Sequence, residues 1–419
     1  MSIYDAIVRT SLKVESEIII KGAIVIAVIR RPFGTTGWSL PEKTHEHGSG
    51  RVSVVISGVE LETAPEGQIR ALITASGREP LRMHIAGDSV LVIEGEENDI
   101  SEAVSGLQDS AAREFPASLN AAMINAITGG VKSIRCDKMT LDFSEPRIMG
   151  VLNVTPDSFS DGGMYCDKQS AVDRALQMIE DGAYIVDVGG ESTRPGSSPV
   201  SSEEELRRIL PVIREIRSRT AVPISVDTYH PDVAKEALRA GADIVNDVTG
   251  LRTGEMRNVI RDADCPFVTM HMLGMPASMQ KSPQYEDVVY EVMRFLAESL
   301  RISEEDGIDV TKGIVDPGIG FGKSFQHNIT LLNRLDELLT LGHPVLLGAS
   351  RKSFIGGITG GGKQNRLEGS LAAAVLAYAK GVKLLRVHDV LETRRALSVA
   401  RCIVTGKMTE DRQQTDERP

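Results

Sequence analysis

Four residues far apart in the chain, Asp227, Asn246, Asp316 and Lys352, offer carboxylate acceptors, an amide fork and an ammonium. Such a set suits a flat heterocycle that carries ring N–H donors and a carbonyl. Arg386 and His388 lie two positions apart, which puts both on one face of an extended segment. With the carboxamide of Asn153 they suit a phosphate or diphosphate, with or without a divalent metal. Two stretches punctuated by Gly and Pro, one with Thr193, Arg194 and Pro195 and one over 157–163, are long enough to close over a ligand. The Gly-rich run 318–322 lets backbone approach a ligand closely. No Ser–His or Cys–His pair stands out as a nucleophile.

Each of these residues follows a short, apolar, β-branched segment. The segments are 147–153, 184–189, 223–227, 243–248, 266–271, 313–316, 344–349 and 384–387. They read as strands buried on both faces. Helical periodicity fills the gaps at 168–181, 202–218, 231–240, 255–263, 285–305, 325–340, 366–380 and 389–404. Cap signals such as Ser201-Ser202 before three glutamates, and Pro231 after His230, open several of them. Eight alternating units predict an α/β fold, a (β/α)8 TIM barrel, whose chemistry sits at the C-terminal ends of the strands. An open doubly wound sheet would carry a Gly-rich turn after its first strand, and Asn153-Val154-Thr155-Pro156 is not one. A single Asp or Asn after a strand is commonly a helix cap. Eight strands that all end in polar groups are not explained by capping alone. The glycines at 356–357 and 360–362 read as a flexible connector.

The first part of the chain differs. Ile18–Ile29 and Val52–Thr63 read as strands, and Leu81–Ile85 and Ser89–Ile93 as a hairpin about Gly87-Asp88. Asp99–Ile127 has helical spacing, interrupted at Pro116. A polar loop over 33–51 carries Trp38, His45 and His47; with no further ligand spaced nearby it reads as solvated rather than metal-binding. The expected organisation is a small α+β domain over 1–140 of unassigned role, a barrel over 145–406 and a polar tail over 407–419.

The 419 residues carry a formal net charge of -11, which argues against a nucleic-acid surface while leaving room for a small anionic substrate. Cys136, Cys166, Cys265 and Cys402 form no Cys-x-x-Cys pair and read as reduced thiols in a cytoplasm. Cys166 is a small filler in the first loop. The most hydrophobic run, Ile18–Ile29, contains Lys21 and is too short to span a bilayer.

Read in order, the strand ends carry Met149-Gly150-Val151-Leu152-Asn153-Val154-Thr155-Pro156-Asp157-Ser158-Phe159-Ser160-Asp161-Gly162-Gly163, then Glu191-Ser192-Thr193-Arg194-Pro195-Gly196, Ser225-Val226-Asp227-Thr228, Asn246-Asp247-Val248, Met270-His271-Met272, Asp316-Pro317-Gly318-Ile319-Gly320-Phe321-Gly322-Lys323, Ser350-Arg351-Lys352 and Arg386-Val387-His388-Asp389. This succession resembles the dihydropteroate synthases. Only the loop with Leu273 and Met275 departs, at a position where that family varies, and the first 140 residues lie outside the likeness. The resemblance implies an enzyme, a transferase of folate biosynthesis, that condenses (7,8-dihydropterin-6-yl)methyl diphosphate with 4-aminobenzoate and releases diphosphate. It implies that Asp227, Asn246, Asp316 and Lys352 hold the pterin. Asn153, Arg386 and His388 hold the diphosphate and its Mg²⁺, with Asn153 the metal ligand. Thr193, Arg194, Pro195, Phe321 and Ser350 frame the aminobenzoate. Catalysis is expected of Asp227, Asn246, Asp316, Lys352, Arg386 and His388, in a cytoplasmic homodimer with small-molecule substrates and neither nucleic-acid nor membrane partners. Competing readings are a ribosylated aminobenzene phosphate as the amine, as in methanopterin synthesis, a pterin-dependent methyltransferase, and a non-catalytic pterin-binding subunit.

Overall fold

The structure is a computed structural model and describes residues 26–30, 51–57, 82–85, 90–96, 131–136, 139–155, 164–191, 200–274, 279, 283–360 and 366–407. The chain divides into two compact units. The first comprises Met1–Val131 with Asp336–His343. It contains an antiparallel sheet ordered β1 (Ile26–Arg30), β2 (Arg51–Ser57), β4 (Val90–Glu96), β3 (Arg82–Ile85). The expected hairpin is present, with Ile85 opposite Leu91. The helix expected over 99–127, and Trp38, His45 and His47, lie outside the described residues.

The second unit, Lys132–Leu335 with Pro344–Pro419, is the barrel. A hairpin, β5 (Ser133–Cys136) and β6 (Met139–Asp142), precedes eight parallel strands. These are β7 (Arg147–Asn153), β8 (Ile185–Gly189), β9 (Ile224–Asp227), β10 (Ile244–Asp247), β11 (Phe267–Met270), β12 (Gly313–Asp316), β13 (Leu346–Leu347) and β14 (Leu384–Val387). They run β12-β11-β10-β9-β8-β7-β14-β13, and a parallel bridge from Val315 to Val345 closes the ring. Strands such as β8, β9, β10, β11 and β12 are buried at every position. That is why their sequences run apolar rather than alternating. The hairpin supplies Ile134, Leu141 and Phe143 to a core shared with Met149, Ile185, Ile244, Val268, Ile314, Leu346 and Leu384. It therefore closes the N-terminal mouth of the barrel, opposite the strand ends.

Among the described residues the helices are α1 (Met164–Glu180), α2 (Ser202–Arg219), α3 (Pro231–Ala240), α4 (Gly254–Ala263), α5 (Val288–Glu305), α6 (Phe325–Asn333), α7 (Ser353–Thr359), α8 (Leu367–Ala379) and α9 (Val390–Thr405). Ser201 caps α2 by accepting from the Glu204 amide at 3.4 Å, and Asp287 caps α5 by accepting from Val289 at 2.9 Å. Each cap stabilises its helix by about 1 kcal/mol.

The structure corrects two expectations. The helix expected over 325–340 ends at Asn333, and Leu335–Leu341 is a 3-10 helix. The glycines at 356–357 are not connector but part of α7, whose left-handed cap is Gly360 at φ +67°. Phe354 and Ile355 are buried and hold this short helix down. A Cβ on Gly369 would lie 2.3 Å from Ile355 Cγ2, so glycine there lets α8 approach α7.

Candidate active site

Residues of β8 and β9 meet on one guanidinium from β14. Arg386 donates from Nε to Asp187 Oδ2 at 2.6 Å and from Nη2 to Asp227 Oδ2 at 2.5 Å. Asn246 donates to the same Asp187 oxygen at 3.2 Å. Parallel register puts Asn246 beside Asp227 and Asp227 beside Gly189, so the three side chains project from neighbouring strands. Asp187, Asp227 and Asn246 are all buried. The Oδ1 atoms of Asp187 and Asp227 are also buried, with no hydrogen-bond partner among the described residues. Burial pushes the Asp227 carboxyl up to about 7, against the pull of Arg386, with Asp187 and Glu205 pushing further. The two carboxylates raise the Arg386 pKa despite its burial.

The ends of β11, β12 and β13 supply a second group. Asp316 Oδ1 accepts from the Gly318 amide at 2.6 Å, and burial raises its pKa. Lys352, the residue before α7, places Nζ 4.2 Å from the Phe321 ring centroid. A Cβ on Gly320 would press on Lys352 Cδ at 3.2 Å, which explains the glycine beneath it. Lys323 is buried, with Nζ 2.8 Å from His271 Nδ1.

At the rim, Ser350 Oγ lies 3.1 Å from His388 Nδ1 and accepts from the His388 amide at 3.3 Å. Asn153 ends β7, half-buried. Beside β9, the Tyr229 hydroxyl donates to Glu191 at 3.0 Å, and His230 Nδ1 lies 2.8 Å from Glu205 Oε2. Thr193, Arg194, Pro195 and the 157–163 loop lie outside the described residues.

The structure thus gathers Asp227, Asn246 and Arg386 in one cluster, Asp316, Phe321 and Lys352 in another, and Ser350 with His388 at the edge. Arg386 does not pair with Asp389. Asp389 pairs instead with Arg351, whose Nε is 2.9 Å away. Sequence reasoning assigned no role to Asp187 or Lys323. Asp187, read from the sequence as the end of the second strand, is instead the third residue of β8, two positions before its end. Nothing in the sequence says that Lys323 folds inward.

The profile of the pterin binding enzymes matches residues 149–388. The dihydropteroate synthase of Escherichia coli K12 is 47% identical over 268 residues, which is 64% of this chain and 95% of that protein. This chain belongs to the dihydropteroate synthase family. The Bacillus subtilis family member is 45% identical over 249 residues, 59% of this chain and 85% of its own length. Among solved family structures, the Xanthomonas albilineans enzyme with 4-aminobenzoic acid superposes at a TM-score of 0.62 with 46% identity, covering 65% of this chain and 98% of that one. The same organism's enzyme in complex with 7,8-dihydropteroate gives 0.59 and 44%, over the same shares.

Proposed function

We propose that this chain is a dihydropteroate synthase that joins (7,8-dihydropterin-6-yl)methyl diphosphate to 4-aminobenzoate and releases diphosphate, as a step of folate biosynthesis. The observation that carries this reading is the pair of buried carboxylate oxygens on Asp187 and Asp227, set beside Asn246, that lack donors among the described residues. A buried polar atom of this kind calls for a partner, and the N–H edge of a pterin supplies donors.

In this reading Asp227, Asn246, Asp316 and Lys352 hold the pterin, with Lys352 donating to its carbonyl. Arg386 fixes the orientation of Asp227 and lends positive potential to the mouth. His388 and Asn153 face the diphosphate. The C–O bond to the methylene carbon breaks, and the electron pair leaves with the diphosphate. The dihydropterin delocalises the positive charge left on the carbon. The arylamine nitrogen then attacks and sheds a proton to water. Thr193, Arg194, Pro195, Phe321 and Ser350 orient the amine, which replaces a bimolecular encounter by a positioned one. No protein nucleophile is required.

Asn153 offers a hard oxygen donor at the mouth and fits Mg²⁺, which binds through one or two protein ligands with phosphate oxygens completing its shell. When bound there, Mg²⁺ would neutralise charge developing on the departing diphosphate.

Two further features support the proposed organisation. Leu376 on α8 and Val399 and Ile403 on α9 are exposed at 55%, 61% and 76%. After Glu368 in its first turn, α8 carries mostly Ala, Leu and Val, as a helix covered on both sides does. A second copy of the chain is the natural cover, giving a homodimer. Cys136, Cys265 and Cys402 form no disulfide, and no helix among the described residues is long and apolar enough to cross a membrane. Reduced thiols fit a cytoplasmic enzyme. The barrel, expected over 145–406, carries the reaction, and the domain expected over 1–140 and the tail over 407–419 keep an unassigned role.

The reading is tested by supplying the pterin diphosphate with a panel of arylamines. Diphosphate release is expected with 4-aminobenzoate. Release only with a ribosylated aminobenzene phosphate would move the enzyme to methanopterin synthesis, and no release with any amine would refute the proposal.

A further inference from the structure

Lys323 ends the Gly-rich loop after β12 and is 3% exposed. Its Nζ lies 2.8 Å from His271 Nδ1 and donates to the carbonyls of His271 at 3.3 Å and Phe321 at 3.1 Å. Three ammonium protons thus meet three neutral acceptors. His271 stays neutral, because burial and the nearby lysine pull its pKa down to about 2. Its Nδ1 is then the acceptor, which puts the ring proton on Nε2. Burial also draws Lys323 down to about 7, with Asp316 opposing and Lys352 adding to the shift. A buried ammonium held without a direct counter-charge is a poor stabiliser of a fold.

What it does hold is conformation. Gly318, Gly320 and Gly322 have φ of +67°, +82° and +61°, so this loop is built from residues that accept many backbone states. Lys323 binds the carbonyl of Phe321 in the middle of that run. It binds at the same time the strand-end residue His271, which anchors the loop after β11. The Phe321 side chain packs among Val248, Met270, Met272 and Met279, and carries Lys352 Nζ on its ring face.

We infer that Lys323 is a positioning residue for the arylamine subsite: it joins the loop after β11 to the loop after β12 and so sets Phe321. The inference rests on the function proposed above, because it takes Phe321 as a wall of the aminobenzoate pocket. Lys323 itself touches no reacting atom. A lysine serving only the fold would, when lost, lower stability and depress every kinetic constant together. A lysine that sets Phe321 acts chiefly on one substrate.

The test is steady-state kinetics on full-length Lys323→Met and Lys323→Gln, each substrate varied at saturation of the other, with thermal unfolding in parallel. The 4-aminobenzoate KM is expected to rise by roughly 10–100-fold in Lys323→Met, because buried carbonyls lose their donor. kcat and the KM for the pterin diphosphate should stay within about 3-fold. In a Phe321→Leu background the added KM effect of Lys323→Met should shrink to less than about 3-fold, the mark of two residues acting as one. Lys323→Gln keeps an amide donor and should fall between; if Lys323→Met does not fold, Lys323→Gln decides. An unchanged 4-aminobenzoate KM in the folded variants overturns the inference. So does a loss shared by kcat and both KM values in step with melting temperature. A wild-type enzyme that makes no dihydropteroate would instead refute the function, and this inference with it.

Discussion

Arg386 is held by two buried carboxylates, so replacing it leaves both Asp187 and Asp227 uncompensated. Breaking such a pair costs about 3–5 kcal/mol. Arg386→Ala would therefore weaken the fold and disorder Asp227, and could not report on diphosphate alone. His388→Ala is the cleaner probe. It should weaken pterin diphosphate by about 10-fold or more, the loss of one charged contact, while leaving the free dihydropterin alcohol within about 2-fold. Calorimetry showing equal losses for the two ligands would remove His388 from the diphosphate site. Asp227 adds a pH dependence. Its folded pKa is raised to about 7, so the neutral acid dominates below that value and the carboxylate above it. The carboxylate is the better acceptor for a pterin N–H, so affinity should strengthen from about pH 6 to about pH 8. Asp227→Asn should flatten that profile; a flat profile in the wild type contradicts the assignment. The strand period fixes where strands end, and that made Asp227, Asn246, Asp316, Lys352, Arg386 and His388 legible in the sequence. It could not say where Arg386 points. The i, i+2 rule puts Arg386 and His388 on one face, but Arg386 reaches across the barrel to β8 and β9, while His388 lies past the strand end beside Ser350.

The loops after β11 and β12 set the shape of the mouth, and their packing depends on two glycines, Gly318 against His271 and Gly322 against Leu273. A Cβ on Gly318 would lie 1.9 Å from the His271 carbonyl oxygen, at a φ of +67°. The obstacle is backbone and cannot rotate away. Gly318→Ala should therefore cost at least about 3 kcal/mol through clash and strain together. At roughly 2–4 °C per kcal/mol that lowers the melting temperature by roughly 6–12 °C. Calorimetric unfolding within about 2 °C of wild type would mean that the two loops pack otherwise. The sequence showed that glycines lie here but not which of them a neighbour presses on. The same ambiguity hid α7, because Gly356-Gly357 breaks helical propensity that buried Phe354 and Ile355 restore. The long, strongly periodic elements, α2, α3 and β7 among them, were legible because burial on a fixed face writes its period into the sequence.

At the scale of the molecule, α8 and α9 leave Leu376, Val399 and Ile403 exposed. If two copies meet through Leu376, Val399 and Ile403, then Leu376→Glu with Ile403→Glu should shift sedimentation from dimer to monomer, with the melting temperature of the monomer lower than that of the wild type. A wild type that sediments as a monomer rules out this arrangement. If the polar strand ends form one site for dihydropteroate synthesis, diphosphate release and product formation must be coupled there. This coupling is tested most directly by following diphosphate release and dihydropteroate formation together in the wild type and in Asp316→Ala. The wild type should release one diphosphate for each dihydropteroate, and only with both substrates present. Asp316→Ala removes a buried carboxylate able to accept two N–H bonds, each contributing about 1.5–3 kcal/mol, and should lose about 100-fold or more in kcat/KM while remaining folded. A folded Asp316→Ala enzyme with wild-type turnover, or diphosphate release without dihydropteroate, would contradict the account.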